Sequence, residues 1–143
     1  MTLWASKYIG LPFVDGGRDM TGCDCWGLVR LVLRERGGIE VPSFAHIAAV
    51  NARAVRDEIA RNATGGDWIE VARGDARALD VIEMRGGLDI NGTLQAAGTH
   101  VGLVVARGQL MHIEHGIDAV LQPFTGPLVR SRLRRFFRHK GLA

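Results

Sequence analysis

The sequence is poor in cysteine and proline, and it contains no long apolar run. Two cysteines and four prolines among 143 residues supply neither a disulfide framework nor a stiff linker. The longest apolar stretches, such as residues 26–33, stop well short of the ~20 residues that a membrane-spanning helix needs. The N-terminus has no basic start followed by an apolar stretch, so we expect no signal peptide and no membrane span. Length and a hydrophobic content of 47% predict a single domain over residues 1–143.

Acidic residues are absent from the last fourteen positions, which hold six of the 18 cations. The rest of the chain has 12 cations and all 15 acids. The positive sign of the overall net charge, +3, therefore comes from the basic C-terminal segment, residues 125–143. Such a segment could contact nucleic acid, an anionic cell wall or a protein partner. Because Leu133, Phe136 and Phe137 are interleaved with arginines, we expect it to pack on the body. No second signal indicates nucleic-acid binding.

Hydrophobic periodicity predicts helices first and strands afterwards. Residues 3–8 and 25–36 fit helices, and a further helical pattern covers 52–61. The region 45–66 has the length to form a rim or lid over a cleft. The period then changes to two, which predicts strands at 68–71, 79–84, 101–106, 109–114 and 119–123. This order predicts an α+β fold in which N-terminal helices pack on an antiparallel sheet.

The two cysteines differ in their position relative to the second predicted helix. Asp24 is placed as its N-cap, so Cys25 occupies the first turn. There the free N–H groups and the helix dipole favour a thiolate and could stabilise an oxyanion. Cys23 precedes the helix and would point elsewhere. The alternative interpretation of Cys25 is a small buried hydrophobic side chain, as most cysteines are.

Two histidines could provide the base that a cysteine nucleophile requires. His100 opens a predicted strand, and His112 lies on the next strand, across a tight turn at Arg107-Gly108. Both positions lie near the open end of the same hairpin, so the two side chains could project toward one point. In a cysteine hydrolase the second histidine orients the first. Each histidine alone is more typical of a structural residue, but together with Cys25 they favour a hydrolase.

The same residue types also permit a metal site. Cys23, Cys25, His100 and His112 would make a Cys₂His₂ set that is chemically acceptable for zinc. However, C-x-C is tighter than the usual ligand spacing, and the histidines do not share a short loop. We therefore expect neither a metal nor another cofactor.

These segments together resemble the NlpC/P60 family of cysteine peptidases, which have a compact papain-like fold. The resemblance runs from about residue 8 to residue 114. Its matching pieces are Gly10-Leu11-Pro12-Phe13 with Gly16-Gly17, Asp24-Cys25-Trp26-Gly27-Leu28-Val29, Asp80-Val81, His100-Val101-Gly102-Leu103, and the downstream His112.

The resemblance implies a role for each matching residue. Cys25 would be the nucleophile, His100 the base and then the acid, and His112 the orienting third member. Backbone N–H groups around Cys25 would form the oxyanion hole. The implied substrate and partner is bacterial peptidoglycan, cut within its stem peptides between D-glutamate and diaminopimelate.

Substrate contacts are implied at Asp24, Trp26 and Phe13, and the sequence departs from the family pattern nearby. Trp26 stands where serine is common, and Phe13 stands where a tyrosine is usual, so a hydroxyl is missing. Leu79 stands where a glycine commonly precedes the aspartate that opens a strand.

The variant D-C-W-G-L-V-R, the short chain and the absent signal peptide look like a subgroup carried by bacteriophages, prophages and gene transfer agents. This likeness implies synthesis in the cytoplasm and delivery to the cell wall in a tail particle, with tail proteins as partners. Two alternatives stay open. One is a tail-assembly module that keeps the fold without turnover, and the other is an amidase or acyltransferase acting on another substrate.

Overall fold

The computed structural model describes residues 3–42, 67–85, 99–114, 116–127 and 129–142. The expected cleft rim at 45–66, including the helical pattern at 52–61, lies outside the described residues. Within the described ranges, no helix is long and apolar enough to cross a membrane.

The architecture is α+β, as the sequence predicts. Among the described residues, one α-helix packs on a six-stranded antiparallel sheet. A two-stranded hairpin precedes the helix, and short 3₁₀ helices cover Leu3–Tyr8, Arg73–Asp75 and Lys140–Leu142. The elements are β1 (Arg18–Asp19), β2 (Gly22–Cys23), α1 (Cys25–Gly37), β3 (Trp68–Val71), β4 (Val81–Arg85), β5 (Thr99–Ala106), β6 (Gln109–Glu114), β7 (Ile117–Pro123) and β8 (Leu133–His139). The spatial order of the large sheet is β3-β8-β4-β5-β6-β7.

Helix α1 begins and ends where its capping residues predict. The Asp24 side chain accepts a hydrogen bond from the backbone N–H of Gly27, which satisfies a free donor of the first turn. Gly38 adopts a left-handed conformation with φ of 65°, and its N–H donates to the carbonyl of Arg34. Between these caps, the apolar face of the helix is buried against the sheet through Leu28, Val29, Leu31, Val32 and Leu33.

The centre of the sheet is buried on both faces. Val101 and Leu103 pack with the apolar face of α1 in one core. Val104 and Leu110 belong to a second core, which the chain after β7 closes with residues such as Phe124. This alternation follows from the two-residue period of a strand.

The C-terminal segment is a strand inside the sheet and not an amphipathic end packed on its surface. Strand β8 lies between β3 and β4, antiparallel to both. Phe136 and Phe137 are buried in the two opposite cores, so the expected packing of these aromatic side chains is confirmed. The strand itself was not predicted because L-R-R-F-F-R-H lacks a strict alternation of polar and apolar residues.

Several arginines of this segment have acidic partners within the fold. Arg138 donates from Nε and Nη2 to the two carboxylate oxygens of Asp80, both at 2.8 Å, and Asp80 is fully buried. Arg135 contacts Glu70 at 3.3 Å, and its other nitrogen lies 3.9 Å from Glu83. The basic charge that the sequence concentrates at this end is therefore partly matched by acids of neighbouring strands.

Leu79 departs from ordinary backbone geometry. Its φ is 76°, the only positive value among the described residues other than glycine. Its N–H donates to the carbonyl of Val104 at 2.8 Å, which holds it at the entrance to β4. The glycine that is common at this position in the resembling family suits this conformation, because a side chain there is strained.

We predict that Leu79→Gly is at least as stable as Leu79→Ala. Both variants lose the same apolar packing, but glycine relieves a left-handed strain of about 1–2 kcal/mol and loses only about 0.5–1 kcal/mol to chain entropy. Urea unfolding of both variants would measure the difference. At Ala72, where φ is −69°, replacement by glycine should lower stability instead. If Leu79→Gly proves clearly less stable than Leu79→Ala, the strain is refuted.

A second prediction concerns the buried pair of Arg138 and Asp80. Arg138→Met should lower the free energy of unfolding by about 3–5 kcal/mol, because it leaves a buried carboxylate without its partner. Arg135→Met, which removes a half-exposed arginine of the same strand, should cost about 1 kcal/mol or less. Urea unfolding distinguishes the two, and equal small losses would contradict the assigned importance of the pair.

Candidate active site

Cys25 is the first residue of α1, and its position is determined by the loop that precedes the helix. The Asp24 carboxylate accepts hydrogen bonds from Arg18 Nη1 at 2.6 Å and from the backbone N–H of Gly16 at 3.0 Å. The same side chain caps the helix through the N–H of Gly27 at 2.8 Å. One carboxylate thus connects the loop, the hairpin and the helix start around the thiol.

Gly27 is required by the close approach of this loop to the first turn. A Cβ atom at position 27 would overlap the backbone oxygen of Gly17 and press on the Asp24 carboxylate. A side chain here would therefore displace the loop that orients Cys25. This gives a steric reason for the glycine in the D-C-W-G sequence.

The Cys25 thiol is largely buried, with 7% of the residue exposed. Burial raises its pKa to about 12, and the neighbouring Asp24 charge adds to that effect. Hydrogen bonds from the backbone N–H groups of Val101 and Trp26 act in the opposite direction. The sequence predicts an acidified thiol at the helix start, but in the structure burial outweighs the N–H groups. The thiol of the free protein is therefore protonated at neutral pH and needs a base to react.

Cys23 lies in a different environment from Cys25. It ends β2, its thiol donates to the carbonyl of Asp19 at 3.2 Å, and burial raises its pKa to about 11. The sequence-based expectation that it points elsewhere agrees with this contact.

His100 and His112 meet on the β5–β6 hairpin. His100 Nε2 lies 3.0 Å from His112 Nδ1, and both rings are buried. On β5, a Cβ at Gly102 would lie 3.3 Å from the Met111 carbonyl oxygen, so the two strands approach closely at this position. The two side chains converge as the hairpin spacing predicts.

His100 lies on β5 and immediately precedes Val101, whose N–H donates to the Cys25 sulfur. Its Nε2 faces His112, so Nδ1 is the ring nitrogen left to accept a proton. Burial lowers the pKa of His100 to about 3, which keeps the ring neutral at physiological pH. A neutral imidazole can accept the thiol proton.

Two further residues, Glu114 and Arg132, complete the buried polar cluster. Glu114 Oε1 lies 3.2 Å from His112 Nδ1 and 3.5 Å from His100 Nε2. Arg132 Nη1 donates to the same oxygen at 2.7 Å, and Arg132 Nε donates to the carbonyl of Arg85 at 3.1 Å. Sequence reasoning missed both residues. Glu114 could have been found from its even spacing to His112 on one strand, whereas nothing separates Arg132 from the other C-terminal arginines.

Asp24 and Trp26, the implied substrate contacts, are almost fully buried, and the Trp26 indole donates from Nε1 to the carbonyl of Pro42 at 2.7 Å. Their side chains support the first turn of the helix around Cys25, and their contact with a substrate stays a prediction. Phe13 is half-buried and forms a bridge with Cys23, so it keeps some exposed surface near the site.

The Cys₂His₂ set considered for zinc does not form a cluster. Among the described residues, the group with metal-like spacing is His100, His112 and Glu114, whose ligand atoms lie within 4.8 Å of one another. It includes neither cysteine. A metal bound there would share the Glu114 oxygen with the Arg132 guanidinium at 2.7 Å, and that cation already balances the carboxylate.

Comparison with solved structures supports the fold. The chain is 24% identical to the NlpC/p60 domain of peptidoglycan hydrolase SagA, with a TM-score of 0.57 and coverage of 94% of this chain and 92% of that one. It is 20% identical to a lipoprotein-like NLP/P60 family protein from Staphylococcus aureus, with a TM-score of 0.60 and coverage of 94% and 38%. It is also 20% identical to NlpC2 from Trichomonas vaginalis, with a TM-score of 0.60 and coverage of 96% and 44%. The chain spans less than half of the last two proteins.

A comparison with curated proteins finds no match. The model of the NlpC/P60 family, however, matches residues 10–138, which include α1, the large sheet except for the last residue of β8, and the Cys25, His100 and His112 positions. With the papain-like fold of its structural neighbours, this match shows that the chain belongs to the NlpC/P60 family.

Proposed function

We propose that the protein is a cysteine endopeptidase that hydrolyses stem peptides of bacterial peptidoglycan. One observation carries the proposal: the Cys25 thiol at the start of α1 accepts a hydrogen bond from the residue next to His100, whose Nε2 lies 3.0 Å from His112. In the proposal, Cys25 is the nucleophile, His100 the base and His112 the orienting group. The similarity to a domain of a peptidoglycan hydrolase supports the substrate class.

In this mechanism, the proton moves as the nucleophile attacks. His100 Nδ1 accepts the Cys25 proton while Sγ forms a bond to the substrate carbonyl carbon. Because burial disfavours charge on both groups, the imidazolium and the oxyanion arise together, and backbone N–H groups at the start of α1 stabilise the oxygen. The buried site strengthens these interactions because water is largely excluded.

The remaining steps return both groups to their starting state. The C–N bond of the substrate breaks, and the His100 imidazolium donates its proton to the departing amine. His100 then takes a proton from water, whose oxygen attacks the thioester. The C–S bond breaks, the carboxylic acid leaves, and Cys25 regains its proton.

We propose the bond between D-glutamate and diaminopimelate as the point of cleavage. This choice rests on the family resemblance of the Cys25 and His100 segments. Phe13 in place of a tyrosine and Trp26 in place of a serine remove two hydroxyl groups, so recognition of the peptide depends on other contacts.

A digest of purified diaminopimelate-containing muropeptides, analysed by mass spectrometry, tests the activity. We expect new fragments ending at D-glutamate with the wild type, and a loss of at least about 10³-fold in Cys25→Ala. Cys23→Ala is the matched control, because it removes a buried thiol two residues away and should keep the fragments. Activity retained in Cys25→Ala would refute the nucleophile. No turnover on several wall types would favour an assembly module or another substrate.

We further propose that a phage or phage-like tail carries the enzyme to the cell wall. The support is the likeness of D-C-W-G-L-V-R to the phage-borne subgroup. On the folded protein, a tail partner would meet the half-exposed arginines of β8, such as Arg134 and Arg135, because the basic segment is a strand of the sheet.

Gradient-purified tail particles from the source cells provide the test of delivery. Peptides of this chain should co-sediment with the structural tail proteins at a constant ratio, as measured by mass spectrometry. An abundant cytoplasmic enzyme serves as the control and should be lost from the particle fraction. Recovery of the chain only with the soluble proteins would rule out tail delivery.

A further inference from the structure

We propose that Glu114 and Arg132 are positioning residues, a buried ion pair that fixes the two histidines and balances the charge formed on His100 during the reaction. The inference rests on the thiol chemistry proposed above but not on the identity of the substrate. Neither residue need touch the reacting atoms, because both act through the imidazole rings.

The first argument is the arrangement of atoms around one oxygen. Glu114 Oε1 faces His112 Nδ1 at 3.2 Å, His100 Nε2 at 3.5 Å and Arg132 Nη1 at 2.7 Å. A carboxylate can only accept hydrogen bonds. It therefore favours the His100 tautomer with its proton on Nε2, which leaves the Nδ1 lone pair free for the Cys25 proton.

The second argument is how His112 is held. Its Nε2 is buried and has no hydrogen-bond partner among the described residues. The polar atoms within reach of the ring therefore face Nδ1, which can either accept from His100 Nε2 at 3.0 Å or donate to Glu114 Oε1 at 3.2 Å, but cannot do both at once. Without the carboxylate, His112 would keep only the contact with His100, the residue that it is meant to orient.

The third argument concerns Arg132, which holds the carboxylate in place. Arg132 precedes β8 and reaches across the sheet to Glu114 on β6, and its Nε donates to the carbonyl of Arg85 at the end of β4. The guanidinium is buried, so two strands and the pre-strand turn fix it. A buried carboxylate without such a partner would be costly.

Glu114 and Arg132 have opposite effects on the pKa of His100. Glu114 favours the protonated ring, whereas Arg132 and His112 oppose it. Met84, which pairs with His100 from β4, adds no charge. Within the part of the chain that the structure describes, the titratable or charged groups that act on His100 are His112 and Glu114 of β6 and Arg132 before β8. Asp24 and Glu114 act on the thiol of Cys25.

Single substitutions should therefore move the pH profile of the enzyme in opposite senses. Glu114→Gln removes the negative charge beside His100 while the Arg132 guanidinium remains, and should shift the profile of kcat/KM toward acid. Arg132→Met leaves the Glu114 carboxylate and should shift the profile toward alkaline pH. A charge at this distance changes a pKa by about 1–3 units. In both variants kcat should fall, by up to about 100-fold, with little change in KM, because ring placement and not substrate binding is altered.

The experiment measures two properties of the full-length wild type, Glu114→Gln, Arg132→Met and the double variant. One is muropeptide hydrolysis against pH, and the other is the rate of Cys25 alkylation by iodoacetamide, assigned by peptide mass spectrometry. Alkylation at pH 8 should be faster in Glu114→Gln, because Glu114 raises the pKa of the Cys25 thiol. It should be slower in Arg132→Met, because the carboxylate then acts on the thiol without the neighbouring guanidinium. The double variant removes both charges, so its pH profile should return toward that of the wild type.

Asp80→Asn provides a matched control for Glu114→Gln. It also neutralises a buried carboxylate bound to an arginine, but at the opposite end of β4. It should lower stability and leave the pH profile unchanged. Shifts of both single variants in the same sense, or an equal shift in Asp80→Asn, would overturn the proposal.

If the single variants unfold, the double variant still tests the pair, because it buries no uncompensated charge. Wild-type kcat and KM in the folded double variant would overturn the positioning role. If no muropeptide is cleaved but alkylation changes in opposite senses, the pair stands and the proposed substrate is wrong.

Discussion

The geometry around the Cys25 thiol depends on the hydrogen bonds that the Asp24 carboxylate accepts. This carboxylate caps α1, accepts from Arg18 and from the backbone of Gly16, and so determines where the helix begins. Cys25 is the next residue, and its sulfur is therefore placed at the free N–H groups of the first turn. Gly27 permits this contact because no side chain intervenes between the helix and the loop. The D-C-W-G sequence thus has a structural reason for each residue, including Trp26, which fastens the helix to Pro42.

At the basic end of the chain, the number of cations in the sequence overstates the positive charge that is available at the surface. These cations suggest a surface for an anionic partner, yet Arg138 neutralises a buried aspartate and Arg132 neutralises the glutamate beside the histidines. Phe136 and Phe137 fill the two cores from opposite faces of β8. The segment contributes to folding and to the candidate site, and its exposed cations, Arg130, Arg134, Arg135 and Lys140, remain available to a partner.

The features that local chemistry determines could be predicted from the sequence. The cap and end of α1 follow from Asp24 and Gly38, and the convergence of His100 and His112 follows from the turn that joins their strands. Strand β8 and the role of Arg132 could not be predicted, because both depend on pairing between segments far apart in the chain. The raised pKa of Cys25 could not be predicted for a related reason. The helix start, which favours the thiolate, is evident from the sequence, but the burial that raises the pKa is a property of the folded protein.

Burial also explains why the site needs more than three residues. A thiol and an imidazole in an apolar environment both prefer to be neutral, so an ion pair formed in advance is disfavoured. In the proposed mechanism, the charge that develops on His100 during attack must then be stabilised by groups already in place, since the protein cannot reorganise around it as water would. Glu114 would provide the negative charge, and its own burial requires Arg132. The buried cluster behind the histidines would thus be a physical consequence of placing the proposed nucleophile in the core.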